Sequence, residues 1–213
     1  MVAVALLVGL PIQLGGLWLV SGDRLPEAVA IPAVLFVFPF LAVELIAAML
    51  AEGVATASTG QKPSWSSSFG LAAGRADLVI VLAAQAAVLY VTFFTVAGAV
   101  AVVVWWSAAT TVLVLEGFQP VQAISRSFRL MQRQMSRNLV ALVGGWAVLY
   151  IPALSAAASL ASTFRKDNSP GAVASLVPFS LAYVPVAPIL AVLVVLTYLD
   201  GRAANESVTF HPG

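Results

Sequence analysis

The chain has 213 residues, of which 61% are hydrophobic and only 9% are charged, and its formal net charge is +1. Ordinary soluble domains carry about 25% charged residues, so this composition excludes a soluble globular protein and indicates an integral membrane protein. The sequence contains no cysteine and a single histidine, His211, which excludes disulfides, thiolate metal sites and cysteine nucleophiles. A nucleic-acid partner is not expected.

Six apolar stretches follow one another along the chain, each of about the length that crosses a bilayer. These spans are predicted at 1–20, 28–51, 78–97, 99–115, 138–161 and 172–199. The first span lacks the basic N-terminal region of a signal peptide, and it is longer than the apolar region of a signal peptide. We therefore expect it to be retained as a membrane helix. Its abrupt apolar start leaves open whether the native N-terminus extends upstream of Met1. The predicted fold class is an all-α, polytopic transmembrane bundle forming a single domain.

Two parts of this bundle are expected to be irregular. The apolar run 78–115 is too long for one span and is divided near Gly98. Pro178, Pro185 and Pro188 interrupt the sixth span, which predicts a kinked or broken helix. Broken helices can build binding sites from freed backbone groups, although neighbouring helices more often accommodate such prolines.

Two strongly polar side chains, Glu44 and Gln85, lie within predicted spans. A carboxylate at the depth of Glu44 is costly, so it should face the bundle or a wet cavity. One interpretation is a contact with an ion, a proton or a polar substrate. The other is a carboxylate that is protonated or hydrogen-bonded to a neighbouring helix. For Gln85 we expect an interhelical hydrogen bond.

The segment 116–137 contains a short amphipathic helix, predicted at 120–134. Its apolar residues recur at intervals of three and four, the spacing of one helix face: Val121, Ile124, Phe128, Met131 and Met135. A second stripe carries Arg126, Arg129 and Arg133, and Arg137 follows. Such a helix lies in a membrane interface, with its apolar face among acyl chains. The arginines would then contact anionic headgroups or a partner protein.

A second interfacial helix is predicted at 64–76, in a segment that resembles the central one. Ser68-Phe69-Gly70-Leu71 matches Ser127-Phe128-Arg129-Leu130. Three span ends carry an acidic residue followed by glycine: Glu52-Gly53, Glu116-Gly117 and Asp200-Gly201. One interpretation is an internal repeat, in which a span, a Glu-Gly pair, an interfacial helix and a second span occur twice. Chance similarity in a biased composition is the alternative.

Basic residues divide unequally between the two sides of the six-span arrangement. Seven lie on one side, Lys62, Arg75, Arg126, Arg129, Arg133, Arg137 and Arg202, and three on the other, Arg24, Arg165 and Lys166. The positive-inside rule assigns the first side, with both termini and both interfacial helices, to the cytoplasm. The expected location is the inner (cytoplasmic) membrane of the cell, whose anionic headgroups attract basic segments.

Three segments together resemble a known family. Residues 115–130, Leu-Glu-Gly-Phe-Gln-Pro-Val-Gln-Ala-Ile-Ser-Arg-Ser-Phe-Arg-Leu, resemble a signature of the membrane domain of glycerophosphoryl diester phosphodiesterases, shared by related small multi-pass proteins. Residues 59–65 resemble that family's connector, and Pro188 with 196–202 resembles its closing motif. The resemblance implies a multi-pass helical bundle with interfacial helices. This chain differs from the family pattern by starting directly in a span.

The catalytic domain of that family is a separate barrel with paired histidines and a Glu-x-Asp metal site, and this sequence has neither. Two-metal or histidine-based phosphodiester chemistry would therefore lack its ligands, so we expect no enzyme and no cofactor. The expected function is that of an accessory or scaffold subunit packing against a larger membrane complex. A transporter or lipid-handling protein is the alternative. The expected partners are membrane lipids, with anionic headgroups on the cytoplasmic side, and other membrane proteins.

Overall fold

The computed structural model of the protein describes residues 10–21, 33–92, 95–167 and 177–206, and every regular element in these ranges is helical. The helices are α1 (Leu10–Ser21), α2 (Phe38–Ser58), α3 (Trp65–Gly74), α4 (Ala76–Thr92), α5 (Val96–Trp106), α6 (Ala109–Glu116), α7 (Pro120–Arg133), α8 (Met135–Asp167), α9 (Val177–Tyr183) and α10 (Ala187–Glu206). A short π-helical segment, Ala33–Val37, leads into α2. The predicted all-α helical bundle is confirmed.

Four helical segments in the described ranges are long and apolar enough to cross a membrane: Leu35–Ser58, Ala97–Glu116, Met135–Ser159 and Ala187–Asn205. The helix α4 is also apolar but shorter, with 17 residues. The predicted first span lies partly outside the described residues, which contain only its end, in α1. The transmembrane character that the composition predicts is therefore supported, while the number of six spans stays a prediction.

Two helices continue beyond the predicted ends of their spans. The helix α2 runs through Glu52-Gly53 to Ser58, because Gly53 keeps a helical backbone and the first left-handed residue is Gly60, with φ of 77°. By contrast, Gly117 has φ of 68° and ends α6 directly after Glu116. The two Glu-Gly pairs therefore differ in structure. Similarly, α8 stays helical to Asp167, six residues beyond its predicted span.

The predicted division of the long apolar run lies close to the observed one. Helix α4 ends at Thr92 and α5 begins at Val96, just before Gly98. A Cβ atom at Gly98 would lie 2.6 Å from the Thr95 hydroxyl oxygen and 2.7 Å from Thr92 Cβ. Glycine is therefore required here, because any side chain would collide with the turn that precedes α5.

The sixth span is broken, as its prolines predict. Helix α9 ends at Tyr183, a turn covers 184–186, and α10 begins at Ala187. Pro185 lies in this turn and Pro188 in the first turn of α10, where a missing N–H has no helical partner. The break therefore separates two regular helices without removing an interior hydrogen bond from either.

Helix α2 is the centre of the bundle, because it contributes to both of the larger buried clusters. One cluster joins it to α8, α9 and α10 through residues such as Ile46, Leu142 and Leu190. The other joins it to α4, α6, α7 and α10. Four alanines of α2 are fully or almost fully buried: Ala42, Ala47, Ala48 and Ala51. Small side chains allow helix backbones to approach closely, which is how transmembrane helices gain packing energy.

The start of α2 is held by two tyrosines from other helices. Pro39 has no N–H, so the carbonyl of Leu35, four residues earlier, lacks its usual helical donor. The Tyr150 hydroxyl of α8 donates to that carbonyl. The Tyr183 hydroxyl of α9 donates to the Pro39 carbonyl over 2.7 Å, and the two tyrosine rings meet edge to face at 5.5 Å. The proline irregularity is thus satisfied by side chains, as membrane interiors require.

Candidate functional site

Glu44 lies near the middle of α2 and is completely buried. The Thr110 hydroxyl of α6 donates to its Oε2 atom over 2.7 Å, and the Gln85 side chain of α4 stands next to the carboxyl group. Its second oxygen, Oε1, has no hydrogen-bond partner in the described part of the chain. The carboxyl group therefore faces three helices of the bundle, not lipid.

Gln85 joins α4 to the interrupted span formed by α5 and α6. Its Nε2 atom donates to the Trp106 carbonyl over 2.6 Å, which is an interhelical hydrogen bond of the kind expected. Trp106 is the last residue of α5, and a turn at 107–108 separates α5 from α6. The last carbonyls of a helix have no partner within it, so Gln85 satisfies one that the interruption leaves free.

A side chain of the central helix α7 donates a hydrogen bond to the carbonyl of the preceding residue, Trp105. The hydroxyl group of Ser127, which is fully buried, donates to the Trp105 carbonyl over 2.7 Å. The Phe128 ring contacts the Trp105 ring at a centroid distance of 5.3 Å. Helix α7 is therefore packed on the end of α5, and its position is fixed by a specific hydrogen bond.

The face of α7 that packs against the bundle overlaps only in part with the predicted apolar stripe. Its buried residues are Ala123, Ser127, Leu130 and Met131, of which only Met131 belongs to the predicted apolar stripe. Val121 is 79% exposed and Met135 begins the next helix, α8. Packing favours this face because Ala123 and Ser127 are small enough for close approach and Ser127 has a buried acceptor. Ile124 and Phe128 of the predicted stripe are partly buried, and Ile124 packs against the core, whereas Val121 is exposed.

The acidic residue at the end of α6 connects three helices at one end of the bundle. Glu116 accepts a hydrogen bond from Arg126 Nε of α7 at 3.2 Å and one from the Tyr198 hydroxyl of α10 at 2.9 Å. Each carboxylate oxygen thus has its own donor, and the arginine pair is charge-assisted. We call Glu116, Arg126 and Tyr198 the edge triad.

A second ion pair lies beside the edge triad. Arg137, at the start of α8, lies 3.1 Å from the Asp200 carboxylate of α10. Next to Asp200, a Cβ atom at Gly201 would lie 3.6 Å from the Leu130 carbonyl oxygen, so α10 and α7 run close together here. Two of the three segments that carry the sequence resemblance therefore contact each other directly, namely 115–130 and 196–202.

Of the four arginines predicted to bind headgroups or a partner, two form ion pairs within the described part of the chain and two do not. Arg126 and Arg137 are in ion pairs within the chain. Arg129 and Arg133 are exposed, and neither forms an ion pair with any described residue. Lying four residues apart on one helix, they form a pair of neighbouring cations. Of the four predicted contacts, these two are available to an external anion.

The third predicted acidic residue, Glu52, belongs to a different environment. It accepts a hydrogen bond from Thr56 of its own helix at 3.5 Å. Nearby, Arg75 pairs with Asp77 at 2.6 Å and its guanidinium also reaches the Leu113 carbonyl at 3.4 Å. The hydrogen bond from Arg75 holds the pKa of Asp77 below its usual value. The contacts of Arg75 with Asp77 and with the Leu113 carbonyl hold the junction of α3 and α4 against α6.

The matched serines of the two similar segments share burial but not partners. Ser68 and Ser127 are both buried. Ser68 donates to the Ser64 carbonyl one turn earlier, over 3.3 Å, whereas Ser127 donates to another helix. The structure therefore gives the two segments the same order of elements, with different contacts.

No group of three or more His, Asp or Glu side chains in the described ranges could hold a metal ion. His211 lies outside the described residues. Several site residues were not identified from the sequence, namely Thr110, Ser127 and Tyr198. Buried threonines and serines give no distinctive signal in an apolar run. The only available signal for Tyr198 was its place two residues before Asp200.

The fold and these polar contacts define an all-α membrane protein whose hydrogen-bonded side chains join its helices. Comparison of the chain with protein-family models, with curated proteins and with solved structures gives no match. The resemblance to the phosphodiesterase membrane domains therefore stays an expectation from the sequence.

Proposed function

We propose that the protein is a non-catalytic subunit of the membrane, an accessory or scaffold component that packs against a larger complex. The observation that carries this proposal is the exposure of α8. Within the apolar window of Met135–Ser159 only 11% of residues are buried, against 61% for Leu35–Ser58 and 50% for each of the other two candidate spans. One complete helix face is thus available to another molecule.

The composition of that face suits a protein partner. Val140, Val148 and Ile151 are exposed by 71%, 72% and 58%, and a Cβ atom at Gly144 would meet nothing within 4 Å. A glycine among apolar residues lets a second helix approach closely. In addition, the 33 residues of α8 extend about 50 Å, beyond the roughly 30 Å hydrocarbon layer. A partner could therefore contact α8 both inside and outside the membrane.

The environment of Glu44 also favours a scaffold over a transporter. A transport site should line a polar cavity at depth, whereas one oxygen of the buried Glu44 carboxyl group accepts a hydrogen bond from Thr110. Two cavities, of about 280 and 450 Å³, lie elsewhere: one borders the end of α2 and the start of α3, and the other borders α1, α2 and α4. Glu44 lines neither of them.

The proposal is tested by purification from native membranes in a mild detergent, with tagged wild-type protein and two variants. Gly144→Leu fills the open position on α8. Gly70→Leu makes the same change at an exposed glycine of α3 that also has nothing within 4 Å. We expect wild type and Gly70→Leu to elute within a larger complex, and Gly144→Leu to elute alone with unchanged helical content. Elution of the wild type as an isolated chain would contradict the scaffold function.

A lipid-handling function is the second candidate, and the observation that favours it is the exposed pair Arg129 and Arg133 on α7. Basic residues at an anionic surface contribute about 1 kcal/mol each. This candidate predicts that the isolated protein binds anionic lipid in the absence of any partner.

A further inference from the structure

Buried side-chain oxygens on α2, α4 and the α5–α6 span lack hydrogen-bond partners within the described ranges. Four buried oxygens there have no hydrogen-bond partner among the described residues: Glu44 Oε1, Gln85 Oε1, Ser107 Oγ and Thr111 Oγ1. All four residues are at most 1% exposed. Inside a membrane nearly every polar group is satisfied by the protein, so a concentration of unsatisfied oxygens indicates that something else completes the site.

These oxygens come from adjacent positions. Thr110 donates to Glu44 and thereby places the carboxyl group against one face of the α5–α6 span. Ser107 lies three residues before Thr110 and four residues before Thr111, so it is next to both on the surface of the span. Gln85 stands beside the same carboxyl group and donates to the Trp106 carbonyl. Glu44 and Gln85 thus bring two unsatisfied oxygens together, and Ser107 and Thr111 add two more on the neighbouring α5–α6 span.

The interruption at 107–108 adds a second, independent feature. It ends α5 inside a span, and the C-terminal end of a helix carries a partial negative charge. The C-terminal ends of interrupted transmembrane helices coordinate sodium ions in some transporters. Here the Trp105 and Trp106 carbonyls already accept hydrogen bonds from Ser127 and Gln85, so the ligands would be side-chain oxygens. Glu44 is the one Asp, Glu, Lys, Arg or His among the buried residues of the described part, so no buried cationic side chain neutralises it there.

We propose that Glu44, Gln85, Ser107 and Thr111 bind a monovalent cation of the sodium class. Hard cations prefer carboxylate, carbonyl and hydroxyl oxygens, which are the atoms present. One carboxylate neutralises a single positive charge, whereas a divalent ion would leave a buried excess charge. The bound ion would hold α2, α4 and the α5–α6 span together. This proposal does not depend on the scaffold function.

The test is thermal unfolding of the detergent-purified chain, followed by tryptophan fluorescence, in NaCl, LiCl, KCl and choline chloride at constant ionic strength. We expect a saturable rise in the unfolding temperature of about 2–5 °C with a small cation. Glu44→Gln removes the negative charge and should abolish the rise. Glu52→Gln makes the same change two turns later on α2, away from the site, and should keep it.

Thr111→Val provides a second variant that introduces no charge change, should Glu44→Gln fail to fold. Loss of one oxygen ligand should raise several-fold the cation concentration at half-maximal stabilisation. Equal unfolding temperatures of the wild type in all four salts would overturn the proposal, with a proton or water then completing the site. It would equally be overturned if Glu44→Gln kept the full cation response, or if Thr111→Val left the half-maximal concentration unchanged.

Discussion

At the scale of the residue, the polar side chains of this protein connect helices. Glu44 receives a hydroxyl from Thr110, and Gln85 reaches the Trp106 carbonyl. The sequence predicts that a carboxylate inside a span must face protein, because exposure to lipid is costly. It could not identify Thr110, which lies 66 positions away and is one of many threonines and serines. The sequence thus predicts that Glu44 needs a polar partner within the protein, and the fold shows that this partner is Thr110.

Tyr198 provides a test of the edge triad. Tyr198→Phe keeps the ring but leaves one oxygen of Glu116 without its donor, which should cost about 1 kcal/mol. For a chain of this size the unfolding temperature should fall by about 2–4 °C. Tyr90→Phe, at a tyrosine on α4 that is only partly buried, serves as the matched control and should leave it unchanged. Equal effects of the two changes would argue against a stabilising function of the triad.

Arg129 and Arg133 provide a test of lipid contact. Replacing both by glutamine should weaken binding of the purified protein to anionic vesicles by about tenfold to thirtyfold at low salt, since each charge contributes about 1 kcal/mol. The difference should shrink as salt is added. Arg126→Gln is the control, because Arg126 is already paired with Glu116, and its vesicle binding should stay near that of the wild type. Unchanged binding of the double variant would exclude a headgroup contact for this pair.

At the scale of the element, α7 shows what sequence periodicity can and cannot predict. The helix was predicted at 120–134 and is observed at Pro120–Arg133. Apolar spacing identifies Ile124, Phe128 and Met131, which contact the bundle, but it omits the buried Ala123 and Ser127. Periodicity weights large apolar residues such as Val121, whereas the observed contact selects Ala123 and Ser127, whose small size permits close approach. The hydrophobicity pattern of a sequence does not show a preference for small side chains at a helix contact, because alanine and serine contribute little to that pattern.

The packed face of α7 can be tested by adding volume. Ala123 is fully buried, whereas Ser125 on the same helix is exposed. Ala123→Leu should overfill the contact and destabilise the protein by about 1–3 kcal/mol, measured as a lower unfolding temperature. Ser125→Leu adds a side chain of the same kind without a collision and should be nearly neutral. The reverse order of the two variants would contradict the packing of Ala123 against the bundle.

At the scale of the whole molecule, the span predictions follow from composition, and their bounds stay predictions. The helices α2 and α8 are longer than the spans predicted for them, because no proline or left-handed glycine stops either helix at the predicted residue. Both helices therefore extend about six residues further. The ion pairs Arg126–Glu116 and Arg137–Asp200 lie at one end of the bundle with Arg75. That grouping agrees with the side to which the sequence assigns most basic residues.

The orientation of this end is tested by cysteine labelling, for which a chain without native cysteine is suited. Ser136→Cys, at the start of α8, should be protected from an impermeant thiol reagent added outside intact cells. Asn168→Cys, directly after the last residue of α8, should react. Both positions should react after the membrane is permeabilised, which controls for accessibility. Reaction of Ser136→Cys alone in intact cells would place the basic end, and the termini, outside.

The interruption between α5 and α6 also has a consequence for how the protein is made. The Trp106 carbonyl is satisfied by Gln85, from a helix that precedes this span in the chain. The Trp105 carbonyl is satisfied by Ser127, from a helix that follows it. When the span first enters the bilayer, one carbonyl therefore has its donor in place and the other does not. Ser127→Ala would leave that carbonyl permanently unpaired, and the defect would affect membrane insertion and turnover of the nascent chain.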